Sequence, residues 1–380
     1  MKTRRARRSG VAALAALTLI GIAACSSPAK TSDTSTAGVK AATATSATDL
    51  GGMAGLIAAA KKEGTLNVIA LPPDFANYGE IIKGFKAKYG LEVVSAQPDI
   101  GTADEIAAAK NLKGQSKAPD VFDLTPTVAS ANTAVFAPYK VATFEDVPAA
   151  LKEATGLWVN DYGGYMSIGY DAGKVPAPTT VQDLLKPAYK GKVALNGDPT
   201  MVGGAAFNGV VMTAISQGGS ADDISKGVAF FTSLKNAGNF LPIDPTSATI
   251  ESGQTPVVFD WDYLNVAQAN KLKGKMDWKT LVPVGAVVGG YYVQAINKDA
   301  PHPAAARLWE EYLYSDEGQN LWLKGGARPV REAAMVAAGT IDKAAHDALP
   351  NAVGTPVFLT KEQTDKANAY LTANWAKAIG

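Results

Sequence analysis

Asp260-Trp261-Asp262-Tyr263 sets two carboxylates beside two aromatic rings, directly after the apolar run Val257–Phe259. Open α/β sheets bind ligands at the carboxyl ends of their strands, and this quartet suits an organic cation. The aspartates would neutralise its charge while Trp261 and Tyr263 offer ring faces. The competing reading is a solvated turn, with Trp261 filling the core beside Phe259. Asp123 and Thr125, at the end of another apolar run, Ala118–Leu124, are expected to face the same ligand cleft. Asp198-Pro199-Thr200 with Gly203-Gly204 precedes a long apolar helix; its free N–H groups would hold an anion, or the stretch is a plain N-cap with close helix packing. Tyr291-Tyr292 presents adjacent phenols. Neighbours on a strand point to opposite faces, which assigns one ring to the cleft and the other to packing. No nucleophile elbow, zinc spacing or phosphate-cradling loop occurs, so the residues do not describe an enzyme. With two histidines, His302 and His346, and one cysteine, Cys25, a histidine-rich metal site is excluded. No cofactor is implied.

The elements that would position these residues alternate. Leu66–Leu71, Leu91–Ala96 and Ala118–Leu124 read as short buried strands. Between them, Asn77 with Glu80 and Thr102 with Glu105 have the spacing of capping boxes, and Ile81, Ile82, Phe85 and Tyr89 recur at helical period before Gly90. Such strand–helix repeats predict an α/β domain with a largely parallel sheet. A second unit repeats the pattern. Strands are expected at Tyr165–Tyr170, Gly191–Leu195, Pro256–Phe259 and Tyr291–Asn297. Helices are expected from Thr180, after Thr200, over Val228–Leu234, around Leu308–Leu313 and after Ser315. The 380 residues, 47% hydrophobic, are enough for two such lobes.

Five of the 36 basic residues lie in the first eight positions, leaving 31 against 35 acidic ones. That mildly acidic body argues against nucleic acid as a partner. The basic start leads into Val11–Ala24, fourteen uncharged residues, short for a bilayer span of about 20 and of the form of a secretory signal. Ile22-Ala23-Ala24-Cys25 resembles the bacterial lipobox, which implies a signal peptide over 1–24 and a lipid on Cys25. Seventeen of the 23 residues Ser26–Thr48 are Ser, Thr or Ala, too little apolar surface to offset ordering. Residues 25–49 are therefore expected to form a flexible tether.

The order of blocks from 61 to 335 resembles the bacterial extracellular solute-binding proteins that serve ABC importers. Tyr165–Tyr170 with Lys174-Val175-Pro176 and Thr180–Leu185 is similar to the family's first crossover, and Pro187–Lys192 with Asp198-Pro199-Thr200 to the block after it. Asn297–Leu313 and Ser315–Gln319 are similar to the segment after the second crossover. Asp74–Tyr78 sits where polyamine receptors place aromatics, with Phe75 where a Trp is usual, and adjacent tyrosines are also a feature of ferric-iron receptors.

The resemblance implies a two-lobed periplasmic-binding-protein-like fold (type II): mixed sheets flanked by helices, with a ligand cleft between the lobes closed by hinge motion. The crossings are placed near Gly163–Tyr165 and Pro283–Gly289. One lobe would hold 50–164 and 290–326, the other 165–289 and 327–380. It further implies a monomeric receptor outside the cytoplasm, in the periplasm or lipid-anchored to the outer face of the cytoplasmic membrane, that passes a small solute to ABC permease subunits. The expected site comprises Phe75, Tyr78, Asp123, Thr125, Tyr162, Thr200, Asp260, Trp261, Asp262, Tyr263, Tyr291 and Tyr292. A polyamine such as spermidine or putrescine is the first candidate; ferric iron, thiamine or a phosphonate are the alternatives, and an exported hydrolase is the rival class.

Overall fold

The computed structural model describes residues 38–380. The expected signal peptide, residues 1–24, and Cys25 lie outside the described residues. Helix α1 (Gly52–Glu63), strand β1 (Thr65–Ile69), α2 (Tyr78–Tyr89), β2 (Glu92–Ala96), α3 (Thr102–Asn111), β3 (Val121–Leu124), α4 (Pro126–Ala131) and β4 (Phe136–Ala137) come first. A long strand, β5 (Val159–Asp171), leads into β6 (Val193–Leu195), α5 (Ala205–Ser216), α6 (Ser225–Asn236) and α7 (Ser247–Glu251). Then follow β7 (Val257–Trp261), α8 (Asp262–Lys271), β8 (Trp278–Leu281), β9 (Gly289–Asn297), α9 (Pro303–Leu313) and α10 (Asp316–Lys324). The chain ends through β10 (Arg328–Pro329), α11 (Glu332–Ala338), α12 (Lys343–Asp347) and α13 (Lys361–Ile379).

The apolar runs read as strands are strands, but their pairing differs from the expected parallel sheet. Among the named pairs only β1–β2 and β6–β7 are parallel; β3–β9, β5–β9 and β5–β7 are antiparallel. The reason is β5. Its first half pairs with β9, as Asn160 opposite Val293 and Tyr165 opposite Gly289. Its second half pairs with β7, from Met166 opposite Trp261 to Tyr170 opposite Val257. One strand thus passes from one half of the molecule to the other, and β9 returns beside it against the chain direction. The register brings the start of β9 and the end of β7 together at the middle of β5, and sets the end of β3 opposite Val293, itself opposite Asn160 near the start of β5.

Two of the sequence-predicted caps do other work. Asn77 has a left-handed backbone (φ 66°) that turns its side chain away from the α2 amides, and its Nδ2 donates to the Leu321 carbonyl. Thr102 is the first helical residue of α3, not its cap, and Glu105 is buried, its Oε2 accepting from the Asp123 N–H at 3.0 Å. Ser315 caps α10 as expected, accepting from the Gly318 N–H.

All eleven residues of α9 are buried, so its charged groups need partners from elsewhere. Glu63 accepts from the first free amides of α9, Ala304 N–H and Ala305 N–H, at 3.0 and 2.8 Å. Arg307 donates to the carbonyls of Ala44 and Ala42 at 2.8 and 3.1 Å. This last contact shortens the expected tether. Residues Ala41–Thr43 and Ala47–Leu50 form single 3-10 turns with Ala41, Ala44 and Leu50 buried, and the buried guanidinium offers the Ala42 and Ala44 carbonyls donors that composition does not show.

Candidate functional site

A cavity of about 250 Å³ opens where β3, β5, β7 and β9 converge. One wall comes from the first half of the chain: Thr125 at the end of β3, Thr127 and Ser130 of α4, and Trp158 and Asn160 at the entry to β5. More of the lining comes from Gly203, Phe207 and Asn208 at the start of α5, and from Trp261 at the end of β7; a Cβ on Gly203 would stand 3.9 Å from Thr125. The start of β9, Gly289 to Tyr292, adds to the same lining. Its glycines are required by close approach: a Cβ on Gly290 would stand 2.5 Å from the Trp261 ring. A third contribution is Phe358, Leu359, Lys361 and Thr364, at the entry to α13.

Of the residues selected from sequence, Thr125, Trp261, Tyr291 and Tyr292 line this cavity. Strand alternation sends the two phenols different ways, yet both reach it. Tyr291 packs on Phe358, centroids 5.8 Å apart. Tyr292 stacks parallel to Tyr162 at 5.6 Å and meets Phe75 edge-on at 5.7 Å. Phe75, Tyr78, Tyr162 and Tyr263 stand behind that ring rather than in the lining. Phe75 lies edge-on to Tyr263 at 5.9 Å, Tyr78 edge-on to Tyr162 at 5.8 Å, and Tyr263 stacks on Trp261 at 6.3 Å.

The carboxylates do not reach the lining either. Asp260 accepts from the Asn196 amide and from the Trp261 N–H, both at 2.8 Å. Burial pushes its pKa up to about 7. Asp262 is fully buried and accepts from the Tyr165 and Tyr263 N–H groups at 2.9 Å, with Arg328 Nε 3.4 Å from its other oxygen. Burial raises it to about 6, and the guanidinium opposes the rise. Asp123 accepts from the Tyr162 hydroxyl at 3.3 Å and from Gln294 at 3.4 Å. Gln294 also donates to Asp161, 3.0 Å away, and burial drives both acids upward. These contacts use the carboxylates to satisfy backbone and core polar groups.

Thr200 is likewise outside the lining. Asp198 accepts from both its N–H and its hydroxyl, at 2.9 and 2.8 Å, closing a turn of its own. The helix α5 starts later, after Gly204. Among the described residues, Lys361 is the one lining side chain of Lys, Arg, Asp or Glu type, and it is paired with Asp365 at 2.6 Å. Burial raises the phenol pKa of both Tyr291 and Tyr292, which works against tyrosinate ligands. Among the described residues no group of three His, Cys, Asp or Glu is placed to hold a metal ion. His302 bonds Asp120 and His346 bonds Glu332, each at 2.9 Å.

Sequence reasoning missed Trp158, Asn160, Phe207, Asn208 and the entry to α13. Trp158 and Asn160 adjoin the first crossing, and Phe207 and Asn208 follow Gly203-Gly204, so proximity to those landmarks could have found them. Phe358, Leu359, Lys361 and Thr364 lie some 70 residues beyond the second crossing and carry no local signal.

A cavity walled by two α/β halves that share crossing strands defines the class: a two-lobed solute binder. The sequence pattern of the bacterial extracellular solute-binding proteins matches residues 119–355, and the chain belongs to that family. It is therefore a receptor that takes a small molecule outside the cytoplasm. No curated protein matches it. Among solved structures, one from Bordetella parapertussis described as an extracellular solute-binding protein has 15% identity and a TM-score of 0.64, over 84% of this chain and 100% of that one. Iron-bound HitA from Pseudomonas aeruginosa has 19% identity and a TM-score of 0.58, over 83% and 99%. The spermidine/putrescine receptor PotD from Streptococcus pneumoniae has 14% and 0.59, over 83% and 99%. At such identities the likeness establishes the two-lobed fold.

Proposed function

We propose that this protein is the binding component of an ABC importer, that it holds a small organic solute in the cavity between Trp158 and Trp261, and that it hands the solute to permease subunits. The observation that carries the reading is the lining itself, drawn from both halves and from both crossing strands. A cavity built that way changes shape when the halves move. A lipid on Cys25 would keep the receptor at the outer face of the membrane.

The lobes we propose are 50–164 with 290–326, and 165–289 with the C-terminal helix. Packing of Trp375 of α13 on Phe231 of α6, 5.4 Å between centroids, supports the second assignment. Arg331 bonds Asp146 at 2.6 Å and Asp316 at 2.8 Å, and Arg328 pairs in register with Gly163. Those contacts support moving the stretch around 327–331 to the first lobe.

The solute we favour has a flat or apolar body and little positive charge. Trp158, Phe207, Trp261, Tyr291, Tyr292 and Phe358 supply the surface, while Thr125, Asn160 and Asn208 supply neutral polar groups. A polyamine needs carboxylates at its ammonium groups, and Asp123, Asp260 and Asp262 are engaged elsewhere. A melting-temperature screen tests this, because a ligand stabilises the folded state by RT ln(1 + [L]/Kd). Aromatic and heteroaromatic acids, phosphonates, sugars, amino acids, thiamine, ferric citrate, spermidine and putrescine form the panel. A shift with aromatic solutes and none with the polyamines is expected. A shift with spermidine alone would refute the ligand class, and no shift with any compound would refute the cavity as the receptor site.

A further inference from the structure

Phe358 has no evident duty in the fold. It is a large apolar side chain left 42% exposed, in a stretch that is neither helix nor strand. Yet its backbone is pinned on both sides. Gly285 N–H donates to Val353 O at 2.9 Å, Val357 N–H to Val287 O at 2.8 Å, and Gly289 N–H to Val357 O at 2.9 Å. These bonds strap residues 353–357 along the segment that becomes β9, with Val357 bridged in parallel to Val288. Beyond Phe358, Thr360 caps α13 by accepting from the Gln363 N–H.

Between those anchors the ring lies across Gly289. A Cβ at position 289 would overlap the ring carbons, so only glycine lets the ring rest on the backbone there. The ring also packs on Tyr291, which itself lines the cavity. A fixed backbone carrying a half-exposed ring at the edge of a cavity is a cap. A solute in the cavity would bury more of that ring, and solute leaving on this side would have to displace it.

We propose that Phe358 caps the solute cavity, setting the largest solute it admits and the rate at which a bound one escapes. The inference rests on the cavity being the receptor site, and the experiment separates the two. Its first readout needs no ligand: acrylamide quenching of the cavity tryptophans, isolated by subtracting the signal of a W158F/W261F background. Phe358→Ala should raise the quenching constant at least ~2-fold. Gly289→Ala, which keeps the ring but pushes it aside, should raise it in the same direction. The second readout is stopped-flow dissociation of whichever panel compound shifts the melting temperature. Phe358→Ala should speed its release at least ~10-fold and extend binding to bulkier analogues, while Phe358→Trp should exclude them. The melting temperature of the ligand-free protein should move by no more than about 2 °C, because the side chain is half-exposed. Unchanged quenching and unchanged release in a protein that binds its solute would overturn the cap and leave the cavity reading intact. Absence of any solute for the unaltered protein would overturn both, whatever the quenching shows.

Discussion

Asp260→Asn should make the protein more stable at pH 8 and leave solute affinity unchanged. Asp260 is buried near the end of β7 with no cation against it among the described residues: one oxygen takes the Asn196 amide and the other the Trp261 N–H. Burial raises its pKa from the ordinary 3.8 to about 7, with the nearby Asp244 carboxylate pushing the same way. A carboxyl group whose folded pKa exceeds its unfolded one binds more protons in the folded state throughout that interval. Stability therefore falls as pH rises from about 4 to 7, and the loss is complete above 7. A displacement of about three pH units, at ~1.4 kcal/mol each, sets a ceiling of about 4 kcal/mol. Local relaxation around the ionised group reduces what is observed to roughly 2–3 kcal/mol.

Asparagine keeps the shape and the Trp261 bond and cannot ionise. Urea denaturation of both proteins at pH 5, 6, 7 and 8 gives the difference directly, since Asp161, Asp262 and Glu310, which are also raised, contribute to both curves and cancel. The variant should be equal or slightly less stable at pH 5, where a neutral hydrogen bond of about 1 kcal/mol is rearranged at Asn196. It should be ahead by pH 8. Parallel curves would refute the buried, uncompensated carboxylate. A loss of solute affinity of ~10-fold or more would instead return Asp260 to the binding site, since a charge-assisted hydrogen bond contributes about 1.5–3 kcal/mol.

Arg307→Ala should cost about 2–4 kcal/mol by leaving the Ala42 and Ala44 carbonyls without their donor, and limited proteolysis should then cut within residues 38–50 while α9 stays protected. Cys25→Ala should move the protein from the membrane fraction to the medium or leave it unprocessed; unchanged fractionation and unchanged N-terminal processing would count against lipidation.

How much of this was legible in the sequence depends on how local each determinant is. The strands Leu66–Leu71 and Val257–Phe259 were readable because a buried strand needs only its own apolar run. Pairing direction was not, since it is set by β5 reaching from Val293 to Val257 across the molecule. Composition alone predicts a tether over residues 25–49; the donor that meets the Ala42 and Ala44 carbonyls sits more than 250 residues away, on Arg307.

The Asp260–Tyr263 quartet shows why binding residues are harder still. Every residue of β7 is buried, so an aspartate at its end has the same sequence context whether it meets a ligand or a core amide. Charge beside aromatic rings reads as a cation site only if water or solute reaches the carboxylate. Here Asn196, Trp261 N–H, Tyr165 N–H and Arg328 reach Asp260 and Asp262 first. What the quartet contributes to the cavity is Trp261, held by Tyr263 stacked on one side and admitted close to the backbone by Gly290 on another. The carboxylates fix the turn that aims the indole, and the indole is what a solute would touch. A search for sites from sequence therefore does better to follow the aromatic residues at strand ends and glycine crossings than the charges beside them, because a ring such as Trp261 can be buried in the core and still line the cavity, whereas these carboxylates are taken up by the amides they satisfy.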